Sequence, residues 1–171
     1  MAWTPRKKTL DWSALLAARE QARADGRTVV WTNGCFDLLH PGHVASLAQA
    51  RALGDWLVVG LNSDASVRAN KGPLRPILSQ NERAALLAAL ECVDAVIVFD
   101  EPTPEAALAR LQPDIHCKGM EYAPPHGRPV PERATVEAYG GRIEYLPLVP
   151  GVSTTDVLAR IHEKTGASRA A

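Results

Sequence analysis

Two histidines three residues apart, His40 and His43, mark the stretch of this chain best equipped for chemistry. They close the string Thr32-Asn33-Gly34-Cys35-Phe36-Asp37-Leu38-Leu39-His40-Pro41-Gly42-His43. A glycine straight after a strand lets the chain turn tightly, so Gly34 brings the backbone N–H groups around Asn33, Cys35 and Phe36 close to a ligand. Pro41 suits the first turn of a helix, and Gly42 lets a ligand approach that turn. His40 and His43 then share one side of a helix N-terminus, where free N–H groups and the macrodipole favour an anion. Two imidazoles and those amides form a site for phosphate oxygens. Taken singly, each feature also has an ordinary reading: a capping histidine, a zinc-binding pair, an unremarked loop. Zinc lacks a third ligand here, and the glutamate of an HExxH motif is absent. Two of the five histidines falling in a four-residue window favours the anion site.

Further along, Lys71-Gly72 and Lys118-Gly119 hold the only lysines between residues 9 and 163, in a chain that otherwise uses arginine. Each is read as lying in a loop after a strand–helix unit, with an anion to meet rather than a solvated face to fill. Ser153, Thr154 and Thr155 stand where a last helix starts, so capping accounts for Ser153. Hydroxyls and free amides at that helix start also suit terminal phosphates. Cys35 has no base near it in sequence, which argues against thiol catalysis. His116, His126 and His162 carry no partner motif, and the stripe Leu86-Leu87-Leu90 reads as core. Neither GxGxxG nor GxxxxGK[ST] occurs.

The elements that must hold these groups alternate. Residues 1–8 read as a loose tail, and a helix follows over residues 11–24 with Gly26 as its stop. Strands are expected at Thr28–Trp31, Trp56–Leu61, Ala95–Phe99, Asp114–Cys117 and Ile143–Leu146. Helices are expected after His40-Pro41-Gly42-His43, after the Ser79/Glu82 capping box, over Thr103–Leu111, over Glu132–Tyr139, and from Ser153 to about Lys164. Strands alternating with helices predict an α/β fold: one doubly wound, five-stranded parallel sheet with helices on both faces. Ligands of such sheets sit outside the carboxyl ends of the strands, where the winding reverses. Residues 1–26 read as tail and helix, and 27–171 as the domain proper.

Composition narrows the function. The 171 residues are 46% hydrophobic and 22% charged, enough for one domain with a real core. With 19 basic and 19 acidic side chains there is no basic excess for nucleic acid or an anionic membrane. No apolar run approaches the ~18 residues of a membrane span, and no secretory h-region opens the chain. Three scattered cysteines read as reduced, so a cytoplasmic protein is expected.

The HxGH with its upstream Gly-x-Phe-Asp resembles the nucleotidyltransferase superfamily that includes cytidylyltransferases. The longer string resembles the heptose 1-phosphate adenylyltransferases of lipopolysaccharide precursor synthesis, a family that carries this domain alone or fused to a sugar kinase. The likeness runs from about Trp31 to Ile161: Asn62-Ser63-Asp64, Lys71-Gly72-Pro73-Leu74-Arg75-Pro76, Lys118-Gly119-Met120-Glu121-Tyr122 and Gly151-Val152-Ser153-Thr154-Thr155 all resemble family segments. Two positions depart, with Glu121 for the usual aspartate and Leu158 where some members place an arginine. The resemblance implies a Rossmann-like nucleotidyltransferase fold and adenylyl transfer from ATP to a sugar 1-phosphate with release of pyrophosphate. His40, His43 and Lys71 are then catalytic. Asn33, Gly34, Cys35, Phe36, Gly42, Lys118, Gly119, Ser153, Thr154 and Thr155 bind nucleotide, and Asp37, Asn62, Asp64 and Arg75 serve the substrate. Magnesium accompanies ATP with no resident metal site, and a homodimer is expected by analogy. The alternatives are a cytidylyltransferase using CTP and glycerol 3-phosphate, and a nucleotide-binding sensor without turnover.

Overall fold

A computed structural model describes residues 7–166. Five strands, β1 (Val29–Gly34), β2 (Trp56–Asn62), β3 (Ala95–Phe99), β4 (Ile115–Gly119) and β5 (Arg142–Leu146), form one sheet in the order β3-β2-β1-β4-β5. Every neighbouring pair is parallel. The chain winds outward from β1 to β3, then returns to β4 on the other side of β1. The reversal therefore falls between β1 and β4, and the carboxyl ends of those strands frame the crevice.

β2 and the first half of β1 are apolar on both faces because both are covered. Side chains alternate across the sheet: Val30, Val59 and Val96 enter one core with Leu47 and Leu87, while Trp31, Val58 and Ile97 enter the other with Leu15, Leu108 and Val136. Helices α2 (Pro41–Arg51) and α4 (Gln80–Ala89) supply the first core. Helices α1 (Trp12–Ala24), α5 (Glu105–Leu111) and α6 (Arg133–Ala138) supply the second. The expected capping box is formed, with Ser79 and Glu82 satisfying each other's backbone N–H groups.

Three local expectations are corrected. The tail is not loose at its end: the Lys8 carbonyl accepts from Val96 N–H (2.8 Å) and Leu10 N–H donates to the Val96 carbonyl (3.0 Å), which pairs the bare edge of β3. Residues 1–6 lie outside the described residues. Lys71 is not in a loop, because an unexpected helix, α3 (Asp64–Lys71), starts at the Ser63 cap and ends on it. Lys118 lies on β4, which continues in register with β5 to Gly119. No helix among the described residues is long and apolar enough to cross a membrane.

Gly60 shows how tightly the centre is packed. A Cβ there would overlap the indole of Trp31, itself fully buried. We expect Gly60→Ala to destabilise the protein by about 1–3 kcal/mol, the usual cost of overpacking. Urea denaturation at unchanged m-value checks this, and an unchanged midpoint refutes it.

Candidate active site

A cavity of about 830 Å³ opens at the carboxyl ends of β1 and β4, lined by residues 32–37 of the turn leaving β1, both histidines, Lys71, Arg75, residues 117–119 and residues 148–156. The site is built from that turn. Phe36 holds φ at +45°, in the left-handed region that a bulky residue rarely enters. Its ring packs on His43 with centroids 5.2 Å apart. His40 caps α2, its Nδ1 accepting from the His43 backbone N–H at 3.3 Å. That acceptor role leaves the His40 proton on Nε2. The two imidazoles stack, with centroids 3.8 Å and planes 21° apart. Gly42 permits this closeness, since a Cβ there would meet His40 Nδ1 at 3.0 Å and the Val152 carbonyl at 3.2 Å.

Stacked imidazoles cannot both be charged without repulsion. Burial, reinforced by His40, pushes the His43 imidazole down to about 4. Burial also lowers His40, with Asp156 pulling the other way. Largely neutral imidazoles therefore line the cavity, His40 with its proton on Nε2 and His43 with its ring against the Leu38 carbonyl.

The carboxylates and cations of the site are largely paired. Asp37 is 2% exposed and accepts from the Arg75 guanidinium and the backbone N–H groups of Ile77 (2.7 Å) and Leu78 (3.1 Å). It ties the segment after α3 to the turn leaving β1, and both it and Arg75 face the cavity. Lys118 donates to Glu132 at 2.9 Å and lies over the Tyr122 ring, so its charge is already half-committed. Lys71 lines the cavity with no carboxylate partner among the described residues. Helix α7 (Thr154–Thr165) aims its first turn at the cavity. Its cap, Ser153, accepts from Asp156 N–H and donates to the Asp156 carboxylate at 2.7 Å, while Thr154 and Thr155 line the wall. Burial raises the Cys35 thiol, against the pull of Lys71 and Arg83, which keeps it protonated.

Two expected substrate residues are not among the residues that line the cavity. Asn62 is buried and donates to Ser66 Oγ at 3.0 Å, and the partly exposed Asp64 accepts from Arg83 at 2.7 Å.

Sequence reasoning missed Glu132 and its link to His116 and Lys118. His116, read as carrying no partner motif, is fully buried with Nε2 3.0 Å from Glu132. Burial works to raise the Glu132 carboxyl, but the hydrogen bonds of His116 and Lys118 overcome it and hold it down to about 2. Burial keeps His116 neutral. Sixteen residues and a proline-rich loop separate these partners, so no spacing pattern signals them. Arg83 was missed too, although a charge inside the apolar α4 stripe was a usable signal.

Among the described residues, no three His, Cys, Asp or Glu side chains converge as a metal cage. Asp37 already accepts three hydrogen bonds, from Arg75 and the Ile77 and Leu78 N–H groups.

We expect the His43 imidazole to titrate near 4 in the free protein and to rise when a triphosphate binds. Histidine NMR titration measures both, and a midpoint near 6.5 would refute the first. In unfolded chain the same group titrates near 6.5, so between 6.5 and 4 the unfolded state holds the extra proton. Stability therefore falls as pH is lowered through that window, and His43→Gln loses this part of the slope.

The comparisons with known proteins fit this geometry. The cytidylyltransferase-like family matches residues 31–160. A bifunctional protein HldE of Syntrophotalea carbinolica is 55% identical over 145 residues, covering 85% of this chain and 29% of its own length. One from Pelobacter propionicus is 51% identical over 157 residues, 92% of this chain and 31% of its own. The chain thus spans less than a third of these relatives. The crystal structure of a lipopolysaccharide core biosynthesis protein from Thermoplasma volcanium superposes with a TM-score of 0.58 at 30% identity, covering 72% of this chain and 98% of that one. With its HxGH helix start at the switch point of a parallel sheet, this chain belongs to the cytidylyltransferase-like family of nucleotidyltransferases.

Proposed function

We propose that the protein transfers an adenylyl group from ATP to a sugar 1-phosphate, with heptose 1-phosphate as acceptor, forming ADP-heptose and pyrophosphate. One observation carries this reading: two stacked, neutral imidazoles and a left-handed turn converge on one cavity at the helix start that favours phosphate. The likeness to bifunctional HldE proteins and to a lipopolysaccharide core biosynthesis protein supports the pathway.

The acceptor's phosphate oxygen is already a charged nucleophile, so the reaction needs no strong base. It attacks the α-phosphorus in line, the bond to the bridging oxygen of the β-phosphate breaks, and pyrophosphate leaves with that electron pair. The protein contributes position and fixed donors aimed at charge growing on the phosphoryl oxygens. His40 and His43 donate to the α- and β-phosphates with the amides of the Gly34–Phe36 turn. Lys71, which has no carboxylate partner among the described residues, neutralises the departing pyrophosphate. Lys118 and the hydroxyls of Thr154 and Thr155 hold nucleotide groups. Magnesium bound with the triphosphate would neutralise part of its charge.

Pyrophosphate release with Mg²⁺, crossing ATP, CTP, GTP and UTP against heptose 1-phosphate and glycerol 3-phosphate, tests this. We expect turnover only with ATP and the heptose. Turnover with CTP and glycerol phosphate keeps the chemistry and overturns the pathway. We further expect His43→Ala to lower kcat by roughly 10²–10³, the scale of one lost donor to a developing charge. A folded variant with full turnover removes His43 from that role.

A further inference from the structure

Arg83 is the one arginine of α4, and it is fully buried. Its donors are distributed over four partners. Nε donates to the Leu78 carbonyl (3.0 Å), Nη1 to the carbonyls of Asn62 (2.8 Å) and Cys35 (2.6 Å), and Nη2 to the Asp64 carboxylate (2.7 Å). Three of these are structural ties between α4, α3 and β2. The fourth reaches the turn that leaves β1, and there it has a further consequence.

A peptide unit is planar, and the Cys35–Phe36 bond is trans, so its carbonyl and its N–H point in opposite directions. Arg83 draws the Cys35 carbonyl down into the protein. The Phe36 N–H then points away from Arg83, on a turn whose Gly34, Cys35 and Phe36 line the cavity. No protein acceptor meets that N–H among the described residues. The orientation is not one the chain adopts freely, because it comes with the left-handed φ of +45° at Phe36. The same turn carries the Phe36 ring against His43.

We propose that Arg83 is a positioning residue: by holding the Cys35 carbonyl from below, it aims the Phe36 N–H at a phosphate oxygen of the bound triphosphate. This rests on the triphosphate reading of the cavity and adds to it a residue that touches no substrate. Asp64 keeps the guanidinium neutralised and in register, which gives that carboxylate an indirect part in the site. Lysine cannot replace arginine here, since one ammonium cannot reach all four acceptors in a fixed plane.

The chain has only two phenylalanines, so ¹⁵N-phenylalanine labelling yields two amide signals, Phe36 and the buried Phe99. We expect magnesium-ATP to move the Phe36 proton downfield, as a charge-assisted hydrogen bond does, and to leave Phe99 in place. In Arg83→Lys the Phe36 shift is lost, and kcat for pyrophosphate release falls about 10²-fold with little change in nucleotide KM. A merely structural role lowers the folded fraction but leaves the shift and the kcat of folded protein intact, and that result overturns the proposal. If Arg83→Lys does not fold, Asp64→Asn loosens the same guanidinium from one side. It should weaken the Phe36 shift, and a wild-type shift there also overturns the proposal. Should ATP perturb His40 and His43 in the wild-type protein while Phe36 stays silent, the positioning role falls and the triphosphate reading stands. Should ATP perturb none of them, both fall.

Discussion

A guanidinium with no access to water has to find an acceptor for its donors and a counter-charge, and Arg83 finds both beneath the turn that leaves β1. Around this one side chain the carboxyl ends of β1 and β2, the start of α3 and the loop before α4 are drawn to a common point. Asp37 does the complementary work on the other side of the turn, collecting Arg75 and two backbone N–H groups. The turn is thus held between a buried cation and a buried anion. Removing either partner would leave an unpaired charge inside the protein, which is far more costly than losing a surface pair. A left-handed Phe36 persists in such a frame because its surroundings leave it no alternative.

The same economy of charge governs the opposite wall. His116, Lys118 and Glu132 form one buried or half-buried group in which the carboxylate is held ionised by two donors. Lys118 therefore faces the cavity as a cation already shared, whereas Lys71 faces it unshared at the end of α3. Among the described residues the cavity is thus lined by one lysine shared with a carboxylate and one that no carboxylate shares. Largely neutral imidazoles lining the same cavity can donate hydrogen bonds without adding a charge that would need its own compensation.

Much of this was legible in the chain itself. Apolar β-branched runs separated by helical periods announce a covered parallel sheet, and all five strands and the doubly wound class follow from that reading, while the strand order comes from the structure. The HxGH segment, read on strand–turn–helix, is where the cavity lies. Helix α3 was missed because it is short and polar, so no apolar period marks it; its Ser63 cap was the available sign. The segment at Lys8–Leu10 was missed because edge pairing uses backbone groups alone and needs no particular side chain.

The sequence by itself determined the fold class and pointed to the segment after β1 whose side chains line the cavity, because local periodicity and turn chemistry act over a few residues. Only the tertiary structure decided which polar groups remain available to a ligand. Asn62 and Asp64 stand in a promising segment, yet Ser66 and Arg83 claim them. Lys71 and Lys118 look alike in sequence, yet Glu132 takes a share of one and leaves the other. Such choices depend on partners that lie in different elements, 4 to 19 residues apart along the chain. In a low-dielectric interior every buried charge must be matched, and only the folded arrangement settles which partner matches it.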